Sequence, residues 1–366
     1  MVTNLNNSIE NNNMVKKLNL RTNDLSIISK YRGVLFGVSI LSIIIFHFFN
    51  GTLKHRSHDL IYHFGFAYND VFGSIGVEIF LFLSGLGLYY SLTKNSDIKT
   101  FYSRRFERVA IPYFIWGTLY WILADIVIKK ESFTQLCSDF SFYTFWFKGK
   151  QVFWFIAYIL LAYAFFPLLY KLINLKVNGR EISGIICIAL CAVCYIVLFW
   201  LSNAHPHFYK NTEIALGRIP VFIIGTWYGK RVYYKEKFGL PDVLLALSGF
   251  FLILARIFTK KSDYFKEIGL VVDKRVAPCY FAITLIFIFC LVFELLNSER
   301  VNKGAILVGS YSLELFMTHV CIKSLFVLCN IKTYRISVFI WYMAVSVACS
   351  YVLHIATEKI RNVLNA

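Results

Sequence analysis

His47 lies near the far end of a long apolar segment, within the sequence Ile-Ile-Ile-Phe-His-Phe-Phe. An ionisable side chain in hydrocarbon costs at least a few kcal/mol, so its presence there indicates a function. Imidazole titrates near neutrality and can take a proton from a hydroxyl group, which makes His47 a candidate general base. The alternative interpretation is an interfacial histidine that hydrogen-bonds a neighbouring helix.

A carboxylate and a hydroxyl group lie in the second apolar segment, Gly73-Ser-Ile-Gly-Val-Glu-Ile-Phe-Leu-Phe-Leu-Ser-Gly-Leu-Gly. Glu78 and Ser84 each need a buried partner there. Because an acid in this segment can orient His47 or neutralise an arginine, Glu78 is a candidate functional residue, and a purely structural role is the alternative. The glycines of the segment allow neighbouring helices to approach closely.

Three arginines stand at the ends of apolar segments. Arg105 and Arg108 are one helical turn apart, so their guanidinium groups lie on one face and suit phosphate oxygens. Simple anchoring by positive charge at the membrane surface is the alternative. Arg32 precedes His47 by fifteen residues, which is a rise of about 22 Å on a helix. The two side chains are therefore predicted at opposite membrane faces, where each can serve a different reactant.

Polar residues also interrupt two later segments. Arg218 stands two residues before the helix breaker Pro220, which predicts an irregular segment that lines a cavity and does not face lipid. Another group is clustered in one apolar helix and indicates a cavity or a polar helix junction: Tyr311, Ser312, Glu314, Thr318 and His319.

The composition defines the scaffold that must position these residues. Of 366 residues, 58% are hydrophobic and 16% are charged, against roughly 25% charged in an ordinary soluble chain, and the mean hydropathy is +0.59. This excludes a large soluble domain and predicts an all-α, polytopic membrane protein with about ten transmembrane helices in one bundle. The predicted segments are 34–50, 74–93, 109–128, 152–173, 182–202, 214–229, 240–258, 276–296, 305–328 and 337–356.

The basic residues indicate how the chain is oriented. Lys and Arg exceed Asp and Glu by 38 − 21 = +17, and they lie in short runs between apolar segments. Anionic lipid head groups and the positive-inside rule account for them, and nucleic acid is not expected as a partner. We expect a disordered cytoplasmic tail at 1–30, a transmembrane domain at 31–358 and a short cytoplasmic tail at 359–366, in the cell membrane. The longest outer connections, where an external acceptor would be held, are 51–73, 129–151 and 259–275.

The cysteines give no sign of a redox centre. Nine are present, mostly inside apolar segments, and they imply no disulfide framework. Cys191 and Cys194 have redox spacing, but they lie within an uninterrupted apolar segment and are interpreted as small core residues. The sequence also contains no metal-ligand spacing, so neither a metal nor a permanently bound cofactor is expected.

Together these residues resemble the acyltransferase family 3 membrane proteins, bacterial enzymes that O-acylate cell-surface carbohydrates. The resemblance covers about residues 32–356, and the order and spacing of its blocks make it specific. The blocks are Arg32 to His47, Gly73 to Gly87, Arg105-x-x-Arg108, Trp154-Phe-Ile with the later Pro167, Arg218-Ile-Pro, and Gly309 to His319.

The resemblance implies an enzyme that moves an acetyl or other acyl group from cytoplasmic acyl-CoA to a hydroxyl of a cell-surface or lipid-linked polysaccharide. Capsule, O-antigen and exopolysaccharide are the acceptors it suggests, with glycan-assembly proteins as partners beside the lipid bilayer. Together with the residue pattern, it leads us to assign His47, Glu78 and Ser84 to catalysis, Ser84 as an acyl relay if transfer is not direct. The donor-binding residues are then Arg32, Arg105 and Arg108, and the cavity residues are Trp154, Arg218, Tyr311, Ser312, Glu314 and His319.

Two positions depart from the family pattern. A basic residue usually stands eleven positions before the histidine, where this chain has Phe36, and Arg32 lies one helical turn earlier. Many members carry an acidic residue in the block after the tryptophan, where this chain reads Trp154-Phe-Ile-Ala-Tyr-Ile-Leu-Leu. The function of that acid is absent here or is supplied by another residue.

A second hypothesis is a polysaccharide or lipid-linked sugar transporter, whose polar cavity would bind its cargo without chemistry. Discontinuous helices in two matching halves are typical of such transporters. Pro112, Pro167, Pro220 and Pro278 interrupt or border segments, but the sequence contains no matching pair. Release of free CoA thiol from acetyl-CoA and glycan separates the two hypotheses, because a transporter would release none.

Overall fold

A computed structural model describes residues 24–53, 59–73, 75–259 and 276–364. The helices of the first half are α1 (Ser26–Lys30), α2 (Arg32–Thr52), α3 (Leu60–Phe72), α4 (Ile75–Lys94), α5 (Ile98–Trp121), a π-helix (Ile122–Ile128), α6 (Phe133–Phe140), α7 (Tyr143–Lys148) and α8 (Trp154–Ile173). Those of the second half are α9 (Ser183–Ala204), α10 (Pro206–Leu216), α11 (Ile219–Tyr233), α12 (Leu240–Thr259), α13 (Ala277–Leu296), α14 (Glu299–Ser310), α15 (Ser312–Leu328) and α16 (Ile336–Leu364). A short hairpin pairs β1 (Lys176–Val177) antiparallel with β2 (Arg180–Glu181).

The helices are long and apolar enough for a multi-pass membrane protein. In the described part of the chain, eight helical stretches qualify as spans, or nine if α14 and α15, bent by 63°, form one span. The predicted number of about ten is close to this. The difference lies in the predicted segment 214–229, which forms α11 with 15 residues. That helix is about 22 Å long, shorter than a hydrocarbon core of about 30 Å.

Helices α4 and α11 form a buried pair that packs backbone against backbone. A Cβ atom at Gly85 would lie 2.4 Å from the carbonyl oxygen of Phe222, and one at Gly225 would lie 2.2 Å from that of Phe82. Both positions therefore require glycine, as expected for small residues at helix contacts in membranes. This close approach brings the charged side chains of the two helices into contact in the interior.

Helix α14 lies against α2 and then bends into α15. A Cβ atom at Gly37 would lie 2.1 Å from the carbonyl oxygen of Ala305, so α2 and α14 touch along their backbones. After Tyr311, α15 leaves the direction of α14 by 63°. The bend turns the polar residues predicted in this segment into the interior, where four are buried: Ser312, Glu314, Thr318 and His319.

The predicted outer connections contain helices of their own. Residues 51–73 include α3, and residues 129–151 include α6 and α7. Ser132 caps α6 by accepting a hydrogen bond from the backbone of Gln135, which is a usual way to satisfy a helix N-terminus. Nearly all of the connection predicted at 259–275 lies outside the described residues.

Part of each predicted tail is helical in the described residues. Residues 1–23 lie outside the described part of the chain, but Leu25 and Ile28 are buried in the bundle. Their apolar side chains explain why the fold begins before the first predicted span. The tail predicted at 359–366 is helical as far as Leu364, because α16 continues beyond the predicted segment 337–356.

Candidate active site

A cavity of about 270 Å³ opens between α2, α4, α5, α8, α15 and α16, and we call it the arginine cavity. It brings together the three arginines that the sequence assigns to donor binding, Arg32, Arg105 and Arg108. A fourth arginine, Arg361, comes from the end of α16. Other polar residues in its wall include Ser84, Tyr163, Ser312, Glu314, His354 and Glu358.

Arg32 reaches this cavity past a glycine of α4. Its guanidinium lies over the ring of Phe36, 5.3 Å from the centroid, which is a cation–π distance. A Cβ atom at Gly87 would lie 2.1 Å from Nη2 of Arg32, so any larger residue at this position would displace the guanidinium. Phe36, which stands where the family pattern usually has a basic residue, thus supports the cation of Arg32.

The carboxylates of the arginine cavity are paired with neighbouring side chains. Nδ1 of His354 lies 2.9 Å from Oε1 of Glu314, and Glu358 accepts a hydrogen bond from Nη1 of Arg361 at 2.6 Å. Among the described wall residues, arginines outnumber carboxylates by four to two. The cavity therefore carries excess positive charge and suits a ligand with several phosphate groups.

A second cavity, of about 260 Å³, has His47 in its wall, and we call it the histidine cavity. The ring of His47 lies beside that of His319, with centroids 5.4 Å apart. The backbone oxygen of His47 accepts a hydrogen bond from Nζ of Lys323. The wall also includes Asn69, Trp154, Arg218 and Arg256. His47 therefore lines a cavity whose wall holds other polar side chains.

Glu78 lies beside Arg218. The distance from Nε of Arg218 to Oε1 of Glu78 is 3.0 Å, and the two side chains are 4% and 1% exposed. The guanidinium also lies 4.9 Å from the ring centroid of Trp154. The sequence leaves two functional roles open for Glu78, and the geometry fits neutralisation of an arginine. A buried pair of this kind fixes the position of Arg218, because separating the charges in the interior is costly.

Three phenylalanines, which we call the phenylalanine layer, separate the two cavities. Phe80 and Phe155 line the arginine cavity, and Phe316 lines the histidine cavity. The ring centroids of Phe155 and Phe316 are 4.8 Å apart, and those of Phe80 and Phe155 are 5.3 Å apart. All three side chains are buried. These contacting rings therefore stand between the two cavities.

Ser84 and His47 lie in different cavities. Ser84 lines the arginine cavity, and its hydroxyl donates a hydrogen bond to the backbone oxygen of Phe80 at 2.8 Å. Such a bond to the preceding turn is common for serine in helices. The structure does not bring Ser84 to the imidazole that would have to activate it.

The predicted polar residues from Tyr311 to His319 lie near different cavities, according to their position along α15. Ser312 and Glu314 line the arginine cavity, and Tyr311 contacts His354 of its wall, with ring centroids 4.7 Å apart. His319 is fully buried, with Nδ1 2.7 Å from the carbonyl oxygen four residues before it. The bend before α15 thus supplies polar groups to one cavity and a second imidazole beside the other.

Several wall residues are missing from the sequence-based assignment. Arg256 and His354 lie inside predicted apolar segments, so the signal that singled out His47 applies to them as well. Arg361 lies beyond the last predicted segment and reaches the cavity only because α16 continues. Spacing alone gives no indication of that contact.

An acidic group formed by Asp125, Glu131 and Asp139 has ligand atoms close enough to hold a metal ion. Nζ of Lys150 lies 3.3 Å from Oδ1 of Asp125 and 2.5 Å from Oδ2 of Asp139. Nζ of Lys129 lies 3.1 Å from Oδ1 of Asp125. Because these two ammonium groups pair with the carboxylates, ion pairing accounts for the group and we assign it no metal.

A family model described as an acyltransferase domain matches residues 35–355. The match runs from α2 into α16 and includes most wall residues of both cavities, while Arg32 and Arg361 lie just outside it. No curated protein and no solved structure matches the chain. Since the family match covers nearly the whole chain, the protein belongs to acyltransferase family 3 and is a membrane acyltransferase.

Proposed function

We propose that this acyltransferase moves an acetyl or other acyl group from cytoplasmic acyl-CoA to a hydroxyl of a cell-surface or lipid-linked polysaccharide. The observation that carries the proposal is the pair of cavities, one rich in arginine and one containing His47, on either side of the phenylalanine layer. Transfer from CoA to an alcohol needs a cationic site for phosphates and a basic site for a hydroxyl group.

On the donor side, Arg32, Arg105 and Arg108 bind the phosphate groups of CoA. Their guanidinium groups share one cavity, and its inner wall is formed by Phe80 and Phe155. The thin pantetheine arm extends from the phosphates between these rings toward His47. This path delivers the thioester to the histidine cavity while the charged part of the donor stays outside it.

On the acceptor side, His47 acts as the general base. An imidazole nitrogen takes the proton of the acceptor hydroxyl, the hydroxyl oxygen attacks the thioester carbonyl carbon, and the carbon–sulfur bond breaks. The departing sulfur takes the proton from the imidazolium, so CoA leaves as the free thiol. Trp154 and Arg218, which Glu78 holds in place, form the wall against which the acceptor binds.

Direct transfer is the proposed route. An acyl relay on Ser84 would need His47 to activate a hydroxyl that lines the other cavity, and this separation supports attack by the acceptor itself. Thioester transfer to an alcohol is acid–base chemistry, which the side chains of the chain can perform.

The arginine cavity is assigned to the cytoplasmic face of the cell membrane, where acyl-CoA is available. Arg32, near the first described helix, and Arg361, near the last described residue, line the same cavity. This arrangement supports both termini on the cytoplasmic side. The histidine cavity then faces the acceptor on the other side.

The proposal is tested by replacing His47→Ala in membranes supplied with acetyl-CoA and glycan. Loss of the general base should lower the release of free CoA thiol by at least about 100-fold, with unchanged protein abundance. His207→Ala is the matched control, because His207 is exposed, and it should retain the wild-type rate. A wild-type rate in the His47 variant would refute the assignment, and no thiol release by the wild-type protein would favour a sugar transporter.

A further inference from the structure

Helix α16 adds side chains to the arginine cavity that lie outside the family match. The match ends at residue 355, whereas α16 continues to Leu364. Beyond the match, Thr357, Glu358 and Arg361 line the cavity. The family pattern therefore gives no role to this part of the wall.

Arg361 lies toward the mouth of the arginine cavity. Helix α16 begins near the histidine cavity, where the ring of Phe339 lies 4.4 Å from that of Phe48. It ends at the arginine cavity, and Arg361 follows the wall residue His354 by seven positions, a rise of about 10 Å. The Arg361 side chain is 28% exposed, so a ligand can reach it.

We propose that Arg361 binds the 3′-phosphate of the donor CoA, an inference that rests on the proposed function. Coenzyme A carries a diphosphate between pantetheine and ribose and a separate phosphate on the 3′-hydroxyl of the ribose. When the thioester points toward His47, the diphosphate lies deeper and the 3′-phosphate lies outermost. Arg32, Arg105 and Arg108 then hold the diphosphate, and Arg361 is left for the outer phosphate.

An ion pair with Glu358 holds the Arg361 side chain in place. Glu358 accepts a hydrogen bond from Nη1 of Arg361 at 2.6 Å, one helical turn away, and its carboxylate lines the same cavity. The pair holds the guanidinium at the mouth, where its planar shape suits the oxygens of a phosphate group. Arg361 thereby distinguishes CoA thioesters from donors that carry a phosphopantetheine arm without the 3′-phosphate.

The test compares CoA with 3′-dephospho-CoA as ligands of the full-length protein in lipid nanodiscs. Dissociation constants are measured for the wild type, for Arg361→Gln and for Lys359→Gln. Lys359 is the matched control, because it is exposed on the same helix and is absent from the cavity wall. We expect Arg361→Gln to weaken CoA binding about tenfold, the size of a charge-assisted hydrogen bond, and to leave the affinity for 3′-dephospho-CoA unchanged.

Any other result contradicts either the assignment of the 3′-phosphate to Arg361 or the acyl-CoA donor. Equal weakening of both ligands by Arg361→Gln, or no weakening of either, would overturn the assignment of the 3′-phosphate. Wild-type protein that binds the two ligands equally well would overturn it as well. Wild-type protein that binds neither ligand would refute the acyl-CoA donor itself. Retained binding of 3′-dephospho-CoA shows that the variant is folded.

Discussion

The histidine cavity and the arginine cavity differ in how their charges are balanced. In the histidine cavity, each arginine has a carboxylate of the fold nearby: Nε of Arg218 lies 3.0 Å from Glu78, and Nη2 of Arg256 lies 3.9 Å from Asp70. In the arginine cavity, four arginines share two carboxylates. The excess charge suits an anionic ligand, whereas the balanced cavity suits a neutral ligand that hydrogen-bonds, such as a sugar.

The largest expected effect comes from removing the carboxylate that pairs with Arg218 of the histidine cavity. Glu78→Gln takes away the buried negative charge beside Arg218 and should lower the free energy of unfolding by about 3 kcal/mol. The matched control is Glu299→Gln, because Glu299 pairs with Lys303 on the surface with side chains 81% and 74% exposed, and such pairs contribute little. Thermal unfolding in detergent measures both variants, and equal midpoints would show that the buried carboxylate does not balance this cavity.

The next largest effect is expected from removing two positive charges from the arginine cavity. Replacing both Arg105→Gln and Arg108→Gln removes charge that the fold does not balance, so the protein should stay folded while the KM for acyl-CoA rises about tenfold or more. The KM for the acceptor should stay the same. Arg104→Gln is the control, since Arg104 is exposed and is not part of the cavity wall. Lower protein abundance with an unchanged donor KM would return the pair to a role in membrane anchoring.

The smallest expected effect concerns the boundary between the cavities. Phe155→Ala opens the phenylalanine layer around the pantetheine arm, so water from the arginine cavity should also reach the thioester and raise hydrolysis of acyl-CoA without acceptor about fivefold. Phe82→Ala is the control, because Phe82 is equally buried but packs on Tyr228 away from both cavities. Thiol release without glycan measures the effect. Equal hydrolysis by both variants would mean that the layer does not separate the cavities.

Local periodicity was sufficient to predict where several residues lie along their helices. The rise between Arg32 and His47 requires opposite ends of α2, and the structure has them in different cavities. The spacing of Arg105 and Arg108 likewise requires one face. The family membership of the chain is also visible in the sequence, whereas the chemical roles of these residues stay predictions.

Contacts between distant helices were not predictable in the same way. Glu78 and Arg218 are joined because glycines let α4 and α11 approach closely, and the sequence alone leaves the partner of this acid open. Arg361 enters the arginine cavity through the length of α16, which composition does not specify. Ser84 is separated from His47 by packing of aromatic rings, which spacing within one helix cannot indicate.

The short helix α11 affects how a polar acceptor can approach the enzyme. With 15 residues, it falls about 8 Å short of the usual hydrocarbon thickness. It does not face the bilayer, because twelve of its 15 residues are buried in the bundle. The lipid therefore has no reason to thin around it. Arg218, at the start of this helix, is 3% exposed and enclosed by protein, so an acceptor reaches it through the opening of the histidine cavity and not through lipid.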